Sequence, residues 1–245
     1  MSTERHFKID GREIPFEEGD TVMDAAMRAG VYIPHLCHNP EFEPNGSCRV
    51  CTVGVGHRRV AACTTPAAEG MEVDNGSESV TAQRRALVQM LFVEGNHVCP
   101  GCEKSGACQL QAVGYYLEML APHFTHLFPR REVDASHPDI AIDFNRCILC
   151  ELCVRASRDV DGKNVFSVAG RGIASRLVVH SPTGRLGDTD FAATDKAAHV
   201  CPVGAILPKH RGYDRPIGER LYDRQPISLV GDVAAHEETE GTGNG

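Results

Sequence analysis

The chain has 245 residues, 42% of them apolar, and a formal net charge of −8 at pH 7. That length suggests roughly one to two domains with enough apolar side chains to bury a core, and it contains no run of about 18 apolar residues that could span a membrane. Net acidity and the lack of any Trp argue against a nucleic-acid face, which would be basic and supplied with stacking rings.

Residues 1–12 are polar and charged, without the apolar stretch of a secretion signal. A cytoplasmic location is expected, a reducing compartment where disulfides are rare. The count of 11 cysteines is odd, which weakens a purely disulfide reading.

In chain order, an α+β fold is predicted. Phe7 and Ile9 alternate with polar neighbours, Asp10 and Gly11 mark a hairpin turn, and Ile14 and Phe16 resume the alternation. Thr21 with Asp24 reads as a helix N-cap. Val22, Ala25, Ala26 and Ala29 give one helical face, and Gly30 suits the C-terminal cap. A long Cys-bearing loop over 34–51 follows, then returning strands at 52–55, 60–63 and 71–74. Together these predict a β-grasp module wrapped around a cluster, with Gly46, Gly54 and Gly56 admitting backbone N–H groups to its sulfurs.

An amphipathic helix is expected over 79–94, with Val80, Ala86, Leu87, Met90 and Leu91 inward and Gln83, Arg84 and Arg85 outward. Another is expected over 109–120, ending before Pro122. The Gly-rich, alternating stretch over 165–191 predicts hairpins. After Pro208 the chain reads as extended on a partner, and 236–245 as disordered. The expected division is 1–78, 79–120, 121–210 and 211–245.

Every cysteine falls into one of three groups. Cys37, Cys48, Cys51 and Cys63 supply four thiolates, as a 2Fe–2S cluster needs. Cys99, Cys102 and Cys108 supply three. A 4Fe–4S cluster needs four ligands, and His97 is the nearest candidate, with His123 and His126 behind it. A neutral imidazole in place of a thiolate favours the reduced state. Cys147, Cys150 and Cys153 are evenly spaced by two, with Cys201 and Pro202 far downstream. That is the bacterial ferredoxin run, except that Ser157 stands where the fourth Cys would serve a neighbouring cluster. One 4Fe–4S cluster, not two, is expected there. Structural zinc, which also uses Cys-x2-Cys pairs, is the alternative for these thiols.

Other chemistry is poorly supplied. The stretch from Gly170 to Ser175 lacks the last Gly of a dinucleotide fingerprint and reads as a loop. No phosphate-binding loop with Lys-Ser/Thr, no nickel-binding pair of Cys-x2-Cys motifs at the chain ends and no nucleophile pattern is evident. His35 and His38 flank Cys37 and are placed to tune the first cluster, while His180 and His210 read as surface or local hydrogen-bonding residues.

The three groups in this order resemble the N-terminal part of the large iron–sulfur subunit of respiratory NADH dehydrogenase and of iron-only hydrogenases. The match covers residues 1 to about 210. Those relatives continue into further domains, whereas a chain of this length resembles the small diaphorase (gamma) subunits of cytoplasmic NAD-reducing nickel–iron hydrogenases, most closely in the run from Asn96 through His97, Cys99 and Cys102 to Gly106. The wider family has His-x3-Cys; here His97 precedes Cys99 by one residue and Gly95 stands at the family position.

The resemblance implies one 2Fe–2S and two 4Fe–4S clusters, the middle one held by one His and three Cys. It implies an electron-transfer subunit of a hydrogen dehydrogenase without a substrate site of its own. Its partners would be a flavin-containing NAD diaphorase subunit and the hydrogenase small and large subunits, which would carry FMN, NAD and the nickel–iron centre. The rivals are an electron-transfer subunit of an NAD-linked formate dehydrogenase or NADH dehydrogenase and, from a different class, a zinc-stabilised interaction module.

Overall fold

A computed structural model describes residues 5–231, so the tail expected over 236–245 lies outside the described residues. Strands β1 (Arg5–Ile9) and β2 (Arg12–Phe16) form an antiparallel hairpin. Its two turn residues, Asp10 and Gly11, both have positive φ, at 50° and 83°, as the tightest hairpin loop requires. Helix α1 (Val22–Arg28) begins in a reciprocal capping box, in which Thr21 and Asp24 each accept the other's backbone N–H.

After a long loop come β3 (Thr52–Val55), β4 (Arg58–Ala61) and β5 (Glu72–Asp74). The resulting five-stranded sheet has the order β2-β1-β5-β3-β4, with β1 and β5 parallel. The strand expected over 60–63 instead ends at Ala61, because the chain turns there into a short 3-10 helix at Ala62–Thr64 that carries Cys63 into the core.

Helix α2 (Glu78–Glu94) is capped by Ser77. Its inward face differs from the apolar-periodicity reading: Val80, Arg84, Val88, Gln89 and Val93 are buried, while Met90 is exposed. Arg84 donates to Thr52 O at 2.9 Å, Asn75 O at 2.7 Å and Asn75 Oδ1 at 2.7 Å. These bonds seat α2 on the sheet and offset the desolvation of the guanidinium.

Helix α3 (Gln109–Tyr116) follows the second thiol group and ends earlier than expected. Further on, β6 (Val133–Asp134), β7 (Ile140–Asp143) and β10 (Ile206–Pro208) make a three-stranded sheet with β7 in the middle. Between β7 and β10 lie α4 (Leu152–Arg155), a hairpin of β8 (Phe166–Ala169) and β9 (Arg176–Val179), and α5 (Lys196–His199). The Gly170–Ser175 stretch is the connection of that hairpin.

The stretch after Pro208, expected to lie extended on a partner, returns in part to this chain. Tyr222 N donates to Gly106 O at 2.9 Å, and α6 (Ile227–Val230) packs on α3 with Ile227 fully buried.

The described residues form two apolar cores. One fills the five-stranded sheet and α1, and includes Cys51 and Cys63. The other joins α2 to α6 and the smaller sheets, and takes in Leu36, Cys37, Phe42 and Val50 from the long loop.

Candidate metal centres

The first thiol group straddles those two cores. Cys51 and Cys63 belong to the sheet core, while Cys37 lies in the other and Cys48 packs against it. Cys48 N donates to Cys37 Sγ at 3.4 Å, and the Cys51 and Cys63 sulfurs lie 3.4 Å apart. Shared protons split each pair. Hydrogen bonding from Cys48 draws the Cys37 thiol down to about 5, and Cys48 rises correspondingly. Hydrogen bonding from Cys63 draws Cys51 down to about 7 while Cys63 rises. Thiolates are the metal-binding form.

Of the three glycines expected to admit sulfur contacts, Gly46 packs against the residue next to Cys63. A Cβ there would stand 3.2 Å from Thr64 Cγ2, beside Cys63. Gly54 instead makes room for the Arg59 and Asp74 side chains, which pair across β3, and Gly56 turns the β3–β4 hairpin. His35 and His38 are buried beside Cys37 with ring centroids 5.4 Å apart.

In the second group, Cys99 opens a 3-10 turn and Cys108 caps α3. Burial pushes the Cys108 thiol up to about 12. His97 lies between this turn and α2, its ring edge-on to Phe92 at 5.5 Å. Nε2 of His97 is buried and has no hydrogen-bond partner among the described residues. Burial first, and then the charge of Arg146, lowers its pKa to about 4, so the imidazole is neutral and able to donate a lone pair to a metal. His123 is exposed; His126 stacks on Phe128 at 4.2 Å and accepts from Phe128 N.

The third group is assembled by the smaller sheet. Antiparallel pairing of Ile142 with Ile206 brings the ends of β7 and β10 together, so the loop after β7 meets Cys201 just before β10. Leu149 and Glu151 adopt left-handed φ of 54° and 61°, an unusual conformation for a bulky residue. They re-aim the chain between successive cysteines. Cys147, Cys150, Cys153 and Cys201 line one cavity with Val168, Leu177, Val203 and Ile206. Burial pushes the Cys147 thiol up to about 11 and raises Cys150 and Cys153 as well. Ser157 is buried, and its hydroxyl accepts from Val165 N at 2.9 Å, so it holds the turn before β8.

The donor sets fit iron–sulfur groups. Four thiols share an apolar cavity in the third, and a buried, unpartnered imidazole nitrogen stands two residues before the first thiol of the second.

Two arginines that the spacing analysis passed over lie between the groups. Arg146, next to Cys147, donates to Cys102 Sγ at 3.6 Å and pairs with Glu103 at 2.6 Å and Asp143 at 2.9 Å. Arg155, two residues after Cys153, reaches Cys37 O at 2.5 Å and Cys150 O at 3.4 Å. Their one sequence signal is that each sits beside a clustered cysteine. Gln109 N also donates to Pro202 O at 2.9 Å, linking the neighbours of Cys108 and Cys201.

Residues 2–78 match the family of 2Fe-2S iron-sulfur cluster binding domains. Residues 84–123 match the NADH-ubiquinone oxidoreductase-G iron-sulfur binding region, and 140–207 the 4Fe-4S single cluster domain. The HoxS gamma subunit of the NAD-reducing hydrogenase of Cupriavidus necator is 43% identical over 220 residues, covering 89% of this chain and 93% of that one. A chain in the crystal structure of an NAD+-reducing NiFe-hydrogenase in the H2-reduced state is 52% identical, with a TM-score of 0.92, covering 96% of this chain and all of that one. The alpha subunit of the NADPH-Fe(3+) oxidoreductase of Geobacter sulfurreducens is 34% identical over 203 residues, and the match spans 24% of its length.

The fold and these matches define an iron–sulfur protein with 2Fe–2S and 4Fe–4S binding domains. The chain belongs to the family of gamma subunits of NAD-reducing hydrogenases. Among the described residues no helix is long and apolar enough to cross a membrane.

Proposed function

We propose that this chain is the iron–sulfur wire of a cytoplasmic, heteromeric NAD-reducing hydrogenase. Cys37, Cys48, Cys51 and Cys63 hold a 2Fe–2S cluster. His97, Cys99, Cys102 and Cys108 hold one 4Fe–4S cluster, and Cys147, Cys150, Cys153 and Cys201 hold another. Bound there, the three clusters supply one-electron transfer. The modules follow as 1–78, 79–120 and 121–210, with 211–245 as the segment beyond them. The mixed sheet around α1 supports a β-grasp module for the first, and the β7–β10 pairing supports a ferredoxin-like third.

The observation that carries this reading is that the three ligand sets are joined by direct contacts within one chain. Arg155 touches main-chain oxygens of both Cys37 and Cys150. Arg146 joins the Cys147 loop to Cys102, and Gln109 N to Pro202 O joins Cys108 to Cys201. These contacts support a third set placed between the first and the second, so that electrons would pass in the order first, third, second or its reverse.

H2 would be oxidised at a nickel–iron centre on another subunit, releasing two protons and two electrons. The electrons cross this chain singly. A flavin-containing diaphorase subunit collects both and passes them, with one proton, to NAD+. FMN, NAD and nickel are the partners' groups.

The test is reconstitution of the complex with and without this chain. Hydrogen-dependent NAD reduction should require it, while each half-reaction with artificial dyes should persist without it. Robust NADH–dye reductase or hydrogenase activity in the isolated chain would overturn the reading.

A further inference from the structure

Arg155 is a buried cation with an unusual set of partners. Its side chain is 4% exposed. Its acceptors are four main-chain carbonyls: Cys37 O at 2.5 Å, Glu43 O at 2.8 Å, Cys150 O at 3.4 Å and Glu151 O at 3.4 Å. Its Cζ stands 5.7 Å from the centre of the Phe42 ring. Among the described residues no carboxylate makes an ion pair with it. Asp159, exposed on the following turn, feels its charge but pairs with Arg158. A charge taken out of water costs free energy unless an opposite charge compensates it. Carbonyl dipoles orient a guanidinium without cancelling its charge. The opposite charge must come from the groups on either side, and these are the first and third thiol sets.

We infer that Arg155 is a charge-compensating residue shared by the first and third clusters, which holds the reduction potentials of both up and is itself stabilised by them. The inference rests on the ligand assignment proposed above. Clusters held by four thiolates carry net negative charge, and net charge with nearby hydrogen bonding sets their potentials. A fixed positive charge between two such groups favours an added electron on each. It also lessens the repulsion between neighbouring sites when both are reduced. Arg146 serves Cys102 in the second set and is paired with two carboxylates, so the two arginines are not equivalent.

The experiment is potentiometric EPR on the full-length, cluster-loaded chain and its variants. The wild-type spectrum and iron content test the ligand assignment first, independently of Arg155. In Arg155→Gln the first and third potentials should each fall by a tenfold change in the electron equilibrium, about 59 mV for one electron, and the second should hold. Arg155→Lys keeps the charge and should hold all three. Unchanged potentials in a loaded Arg155→Gln protein, or an equal fall of all three, would overturn the inference. If Arg155→Gln fails to load, Arg155→Lys decides. Wild-type potentials there support compensation by charge, and lowered first and third potentials overturn it.

Discussion

A β-carbon placed on Gly95 would stand 2.6 Å from Nε2 of His97 and 2.8 Å from the main-chain oxygen of Asn145. Gly95 therefore leaves the space into which the His97 imidazole folds back. Its backbone, with φ −115° and ψ 175°, is ordinary extended chain, so the demand on glycine here is space and not conformation. The wider family's His-x3-Cys spacing would put the imidazole on residue 95 itself. In this chain the residue two positions later reaches back into the space that position leaves open.

Gly95→Ala should accordingly be destabilising, by about 1–3 kcal/mol for overpacking, and should damage the second cluster selectively. Asn145 O belongs to the backbone and cannot swing away, so the His97 ring must move. Thermal denaturation with EPR of the loaded protein reads both effects. Wild-type stability together with an unchanged second-cluster signal would show that the ring has no such constraint.

Replacing His97 tests the ligand directly. His97→Cys should keep the second cluster and lower its potential, because a thiolate adds negative charge; a tenfold change in equilibrium is about 59 mV for one electron. His97→Ala should lose or convert that cluster alone, since the other two sets have four thiolates each. Full occupancy and an unchanged potential in His97→Ala would exclude His97 and turn attention to His126, which lies near enough to act on His97 electrostatically.

Arg146→Gln should lower the second potential and leave the first unchanged. It removes the donor to Cys102 Sγ and leaves Glu103 and Asp143 without their shared cation. Hydrogen bonds to sulfur and local net charge act in the same direction on a cluster potential. Equal potentials in the variant and the wild type, measured by potentiometric EPR, would limit Arg146 to holding the two loops together.

Much of the local fold was legible in the sequence. Asp10 and Gly11 between alternating apolar residues gave the first hairpin, and Thr21 with Asp24 gave the first helix start, because both depend on neighbours in the chain. Apolar periodicity puts Arg84 on the polar face, because it cannot see the Thr52 and Asn75 acceptors waiting across the fold. Nor does the local sequence show that Gly54 makes room for the Arg59–Asp74 pair, which comes from two other strands. The return of Tyr222 to Gly106 carries no local pattern at all. The cysteine spacings named three sets, but not that the first is divided between two cores, nor that arginines join the sets.

Ser157 occupies the position at which a second ferredoxin-type thiol would stand, and its hydroxyl satisfies the buried Val165 N–H. Ser157→Ala should cost about 1–3 kcal/mol for an unsatisfied buried donor, seen as a lower denaturation midpoint with unchanged iron. Ser157→Cys should likewise add no iron, because one buried thiol lacks three partners. A gain of iron in that variant would mean that a further ligand set lies nearby.

Under the proposed function, every cysteine of this chain serves one of three iron–sulfur groups. Iron, zinc and acid-labile sulfide, determined together on anaerobically purified protein, test it most directly. One 2Fe–2S and two 4Fe–4S clusters require about 10 irons and an equal amount of sulfide per chain. Stoichiometric zinc with negligible iron would contradict the account, and about 14 irons would contradict its count of three clusters.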